Sequence, residues 1–190
     1  MLVLCGVAAF ALFFLFDEAK RRKWCHGWNL CFAAGICLLA GATAGLLFAS
    51  PSWRPGWTGI LCLACMAVCF LLLLYALFFA LPFRKTYVTG ENSAQVVDTG
   101  MYALCRHPGV IWFCLAYLFL YLARGTGEAL AAWLVWTVAD IAHVWVQDRF
   151  YFPQTLPGYD DYREKTPFLL PTPGSVRKAL RGIAKEGGEP

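Results

Sequence analysis

The chain has 190 residues, of which 59% are hydrophobic and only 15% charged, with a formal net charge of +4. Its charges fall between long apolar runs, which excludes an ordinary soluble domain and points to a single all-α, polytopic membrane bundle. The basic residues lie in short loops and in the C-terminal segment. They therefore speak to topology and lipid headgroups, and nucleic acid is not an expected partner.

Residues 1–16 are continuously apolar and read as a short first transmembrane helix. Basic residues follow this run instead of preceding it, unlike a signal peptide. Residues 17–27 read as a polar loop centred on Lys20, Arg21, Arg22 and Lys23, with His26 a solvated loop histidine. Residues 28–49 form a second span, in which Gly35, Gly41 and Gly45 permit close helix approach. A turn-rich loop with Pro51 and Pro55 follows, and Trp53 and Trp57 read as interfacial anchors. Residues 57–83 make the longest and most Leu-rich span, with Pro82 near its end.

Within that span Cys62, Cys65 and Cys69 share one helical stripe, and no His or acid accompanies them. They read as small packing residues, not as a metal site, and no metal is expected elsewhere. Residues 84–108 are the longest polar connection; loops this long in a compact bundle are usually functional or disordered. Residues 109–123 and 129–146 are a fourth and a fifth apolar segment, joined by the turn at 124–127 into a helical hairpin. Beyond residue 147 the chain is polar or aromatic, with a basic tail over 172–190 that reads as mobile from Gly187. One membrane domain is expected, divided into 1–83, 84–171 and 172–190.

The loops after spans one and three carry most of the basic residues, and the C-terminal segment is basic again. Five spans, with the N-terminus outside and the C-terminus in the cytoplasm, satisfy the positive-inside bias throughout. Lys85 and Lys165 then share the cytoplasmic side.

Two stretches carry candidate chemistry. In the first, Gly100, Tyr102 and the run Arg106-His107-Pro108 stand at the lip of an apolar segment. Pro108 fits a first helical turn, which places Arg106 and His107 just ahead of a helix N-terminus, a place suited to anions. A membrane-boundary turn with a snorkelling Arg and an interfacial Tyr accounts for the same residues. In the second, Trp133, Trp136, Asp140, His143 and Gln147 recur at helical spacing as one stripe. Either Asp140 and His143 pair one turn apart to tie helices together, or the stripe lines a substrate cavity.

The pattern Gly-x-Tyr-x-x-x-Arg-His-Pro ahead of an apolar hairpin resembles the signature of the isoprenylcysteine carboxyl methyltransferases and their relatives, the membrane phospholipid methyltransferases. In the family's C-terminal Glu-Glu…Tyr-x-x-Tyr…Pro pattern the two acids fall on Gln147 and Asp148, whose spacing to Tyr159 and Tyr162 matches without a gap, with Pro167 and Pro171 following. The resemblance spans residues 96–171. Departures are Gln147 and Asp148 for the two glutamates, Val110 for an aromatic, Tyr151 for Leu, Thr155-Leu156 for Phe-Gly, and Val144 for the basic residue that holds a prenylcysteine carboxylate.

The resemblance implies S-adenosylmethionine as cofactor, held on the cytoplasmic side by Tyr102, Arg106, His107, Pro108, Gly109 and Asp148. Arg106 and His107 suit the ligand's carboxylate, Asp148 its ammonium, and Tyr102 its adenosine. Methyl transfer asks the protein for alignment and exclusion of water. An amine or thiol acceptor also needs a base, for which His143 and Asp140 are the candidates. The implied function is methylation of a lipid-like or amphiphilic acceptor, with membrane lipids as the other partner. Two other classes fit the same pattern: a nicotinamide-dependent membrane reductase of related fold, and a relative that binds a ligand or partner without turnover.

Overall fold

The computed structural model describes residues 1–22, 28–48, 56–80 and 96–186, with side chains as far as residue 181. Lys23, His26, Pro51, Trp53, Pro55, Pro82, Lys85 and the tail from Gly187 lie outside the described residues. Every regular element among those described is helical: α1 (Leu2–Arg21), α2 (Asn29–Phe48), α3 (Trp57–Leu74), α4 (Met101–Leu104), α5 (Pro108–Arg124), α6 (Gly127–Val146), α7 (Phe152–Thr155), α8 (Tyr159–Lys165) and α9 (Pro173–Glu186). Two π-helical turns, Tyr75–Phe79 and Gln147–Tyr151, continue α3 and α6.

Four helices are long and apolar enough to cross a membrane: Leu2–Arg21, Asn29–Phe48, Trp57–Phe79 and Gly127–Thr155. The fourth apolar segment of the sequence is helical as well, but Pro108–Arg124 is shorter, at 17 residues. Seventeen residues rise about 25 Å, a few ångströms under a typical hydrocarbon core.

The first helix is longer than hydropathy alone indicates. It runs on through Asp17, Glu18, Lys20 and Arg21, residues expected in a loop. Two things hold this polar end helical. Glu18 accepts from Arg21 at 2.7 Å, one turn on, and also pairs with Arg22. Lys20 and Arg21 further complement the carbonyl end of the helix.

The chain divides into two compact units, one comprising Met1–Cys69 and Phe113–Tyr151 and the other Phe70–Trp112 and Phe152–Pro190. In the first unit α1 packs against both α2 and α6. Its centre is Trp136, fully buried, whose indole N–H donates to the Val3 carbonyl at 2.9 Å. Gly6 makes room for that ring: a Cβ there would lie 2.0 Å from it. Tyr117 stands edge-on to Trp136 at 5.0 Å, and its hydroxyl is 2.6 Å from that of Thr43. Gly35 admits Phe13 in the same manner, whereas nothing lies within 4 Å of Gly41, so only part of the expected glycine face is an approach surface. The turn into α6 uses Gly125 at φ 65° and Thr126, whose side chain caps Ala129 N–H.

The second unit joins the end of the third apolar helix, the signature loop and the C-terminal helices. Its α4 packs against α9. The expected basic tail is therefore helical over Pro173–Glu186.

Candidate functional site

The expected site residues fall in both units. Tyr102, Arg106, His107, Pro108 and Gly109 belong to the second, and Asp140, His143 and Asp148 to the first.

In the second unit the signature loop is shaped by local chemistry. Gly100 precedes α4 at φ 56° and ψ −129°, a backbone state that only glycine adopts without strain. The short α4 ends at Cys105 in extended backbone, and Pro108 opens α5 as its first residue. Arg106 and His107 therefore stand immediately before a helix N-terminus, as the position of the proline requires.

Two main-chain hydrogen bonds join this loop to the C-terminal segment. Arg106 N–H donates to the Pro167 carbonyl at 2.9 Å, and His107 N–H to the Phe168 carbonyl at 3.3 Å. A third tie comes from the Tyr-x-x-Tyr pair: the buried Tyr162 hydroxyl donates to the Tyr102 carbonyl at 2.7 Å. Tyr102 in turn donates its hydroxyl to the Ala76 carbonyl at 3.0 Å, on the π-helical turn that ends the third span. Within the second unit the signature loop and residues 159–168, some sixty residues apart, are thus held together.

The His107 ring is buried between two aromatic rings. Phe152 stacks on it at 6.0 Å and Phe168 meets it edge-on at 5.1 Å. Phe168 also lies beneath the Arg106 guanidinium, 5.5 Å from ring centre to Cζ. Tyr159 and Tyr162 are buried beside each other, with Phe152 against Tyr159. Val110, where the family carries an aromatic, is buried, as is Pro108. Burial pushes the Cys105 thiol up to about 11, so it stays protonated and unreactive near neutral pH.

In the first unit the stripe on α6 faces α1. The His143 ring does not pair with Asp140. Its Nε2 meets Asp17 Oδ2 at 2.8 Å, and Gln147 Nε2 donates to the same oxygen at 2.7 Å. Phe10, Phe13 and Phe14 surround the imidazole, Phe14 closest at 4.8 Å. The Asp17 carboxylate thus fixes the orientation of the His143 ring from α1. Asp140 is half-buried one turn earlier. Asp148 is buried on the π-helical turn after α6, an irregularity often found at functional positions. On the same turn Tyr151 reaches Glu18 at 3.3 Å.

Asp17 was missed because hydropathy ends the first span at Phe16, and its partners lie 126 and 130 positions away. An acid directly abutting an apolar run was the available signal. Among the described residues no cluster of three or more His, Cys, Asp or Glu side chains could hold a metal ion. Comparison with known proteins adds no identity: no family model, no curated protein and no solved structure matches the chain.

Proposed function

We propose that this chain is an integral-membrane, S-adenosylmethionine-dependent methyltransferase acting on a lipid-like or amphiphilic acceptor. The observation that carries the reading is the joining of Arg106-His107 to Pro167-Phe168, with Tyr162 closed onto Tyr102. It sets the Tyr-x-x-Tyr part of the pattern against the Arg-His-Pro loop, as a shared ligand site on these segments would require.

The residues present suit the ligand. A half-buried guanidinium beside a helix N-terminus is a fitting seat for a carboxylate, and the rings of Phe152 and Phe168 offer apolar surface near it. Bound S-adenosylmethionine would supply an electrophilic methyl group on a sulfonium. In this reading Arg106, with the α5 N-terminus at Pro108 and Gly109, binds the carboxylate end. His107 and Tyr102 hold the loop in shape, because the His107 ring and the Tyr102 hydroxyl are engaged inside the protein. Asp148 is assigned to the ammonium by the resemblance. His143, oriented by Asp17, is the base that takes a proton from the acceptor, with Asp140 close along the helix. The reading also includes five spans and a cytoplasmic C-terminus, from the distribution of basic residues.

The test is methyl transfer. The full chain in lipid nanodiscs is given methyl-labelled S-adenosylmethionine and a panel of lipids, prenylated thiols and small amphiphiles. Label should pass to one acceptor class, and His143→Ala should lower turnover with cofactor affinity unchanged. Cofactor binding without transfer to any acceptor would make the chain a non-catalytic relative. Binding of a reduced nicotinamide cofactor instead would make it a reductase.

A further inference from the structure

The C-terminal helix carries a surface that methyl transfer does not use. Thr172 and Ser175 cap its start reciprocally: Thr172 N–H donates to Ser175 Oγ at 2.9 Å, and Ser175 N–H to Thr172 Oγ1 at 3.2 Å. Pro173 then occupies the first helical position. The helix therefore begins at a defined place.

Its roll is defined too. Ser175 and Ala179, one turn apart, are buried in the second unit, and Lys178 is tied to Asp98 at 2.7 Å. Those contacts turn a different stripe outward. Val176 is 38% exposed and Leu180 61% exposed, again one turn apart. At about 100° per residue, Arg177 and Arg181 flank that stripe on one side, and both are exposed. From Pro173 to Arg181 the helix has no acidic residue.

We propose that α9 is an interfacial helix that lays Val176 and Leu180 on an anionic lipid surface, with Arg177 and Arg181 among the headgroups. Apolar side chains beside a cationic flank, on a helix of low overall hydrophobicity, fit a bilayer interface better than a dry protein groove. Two buried arginines in such a groove would need acidic partners. A bilayer is also the surface a chain with four helices long and apolar enough to cross one would meet. This inference stands whether or not the chain transfers methyl groups.

Hydrogen exchange read by mass spectrometry tests it on the full chain. The protein is placed in nanodiscs of phosphatidylcholine alone, or of phosphatidylcholine mixed with phosphatidylglycerol. Exchange across residues 173–186 should be roughly tenfold slower or more in the anionic discs, as expected for two arginines near a negative surface. Leu180→Glu should abolish that protection. Arg177→Gln with Arg181→Gln should reduce it and remove its sensitivity to salt. All three positions are exposed, so exchange in α5 and α6 should be unchanged and will report that the variants are folded. Equal exchange in both lipids would overturn the proposal. So would protection that survives Leu180→Glu, or protection that appears only with two protein copies per disc, which would make a second copy the occupant.

Discussion

Asp17 is the residue on which the first unit's polar cluster turns. One carboxylate oxygen serves both His143 and Gln147 among phenylalanine rings, where water is scarce. Removing it strands two donors, and an unmet buried donor costs more than a lost hydrogen bond gains. Asp17→Ala should therefore destabilise by about 1–3 kcal/mol, read as a lowered unfolding midpoint in detergent. Asp140→Ala should cost clearly less, since His143 is held from α1. Equal losses would mean that the Asp17 cluster does not organise this face. At this scale the sequence showed that Asp140, His143 and Gln147 share a stripe, because helical period is a local property. It did not show what the stripe meets, because partners 126 positions apart leave no local trace.

Elements were legible wherever a single physical signal dominated. Hydropathy located all five apolar helices, and Pro108 marked the start of α5 correctly. The end of α1 was not legible, since its last turn is polar and is held by Glu18, Arg21 and Arg22 rather than by apolar burial. Neither π-helical turn has a sequence signal of its own. The period that makes α9 amphipathic was present at Val176, Ala179 and Leu180, but the basic residues around it read as a tail. Helix approach in the first unit depends on Gly6 and on Gly35 and Gly45 of the second span, but not on Gly41. Gly6→Val would drive a side chain into the Trp136 ring, whereas the space beside Gly41 is open. Overpacking of this kind costs about 1–3 kcal/mol, so Gly6→Val should lower the melting temperature by several degrees and Gly41→Val should not. Equal melting of the two variants would show that Gly6 does not set the α1–α6 distance.

For the whole molecule, the composition was sufficient to read a helical membrane protein, because a chain this apolar has few other ways to satisfy its backbone in lipid. The pattern in the sequence named candidates for a site; in the second unit Arg106, His107 and Tyr102 are bound to the segment that carries Tyr162, Pro167 and Phe168. The central proposal is that Arg106 and the α5 N-terminus bind the methyl donor's carboxylate; the resemblance, not the structure, assigns Asp148 to its ammonium. Calorimetric titration of the parent, Arg106→Gln, His107→Ala and Asp148→Asn with S-adenosylmethionine and with its demethylated product tests it most directly. The account predicts that each variant weakens both ligands by about ten- to a hundredfold, since both keep the amino acid end and each change removes a charge-assisted contact or its support. Parent-like affinity in Arg106→Gln and Asp148→Asn would contradict it and leave a likeness of sequence pattern without a shared site.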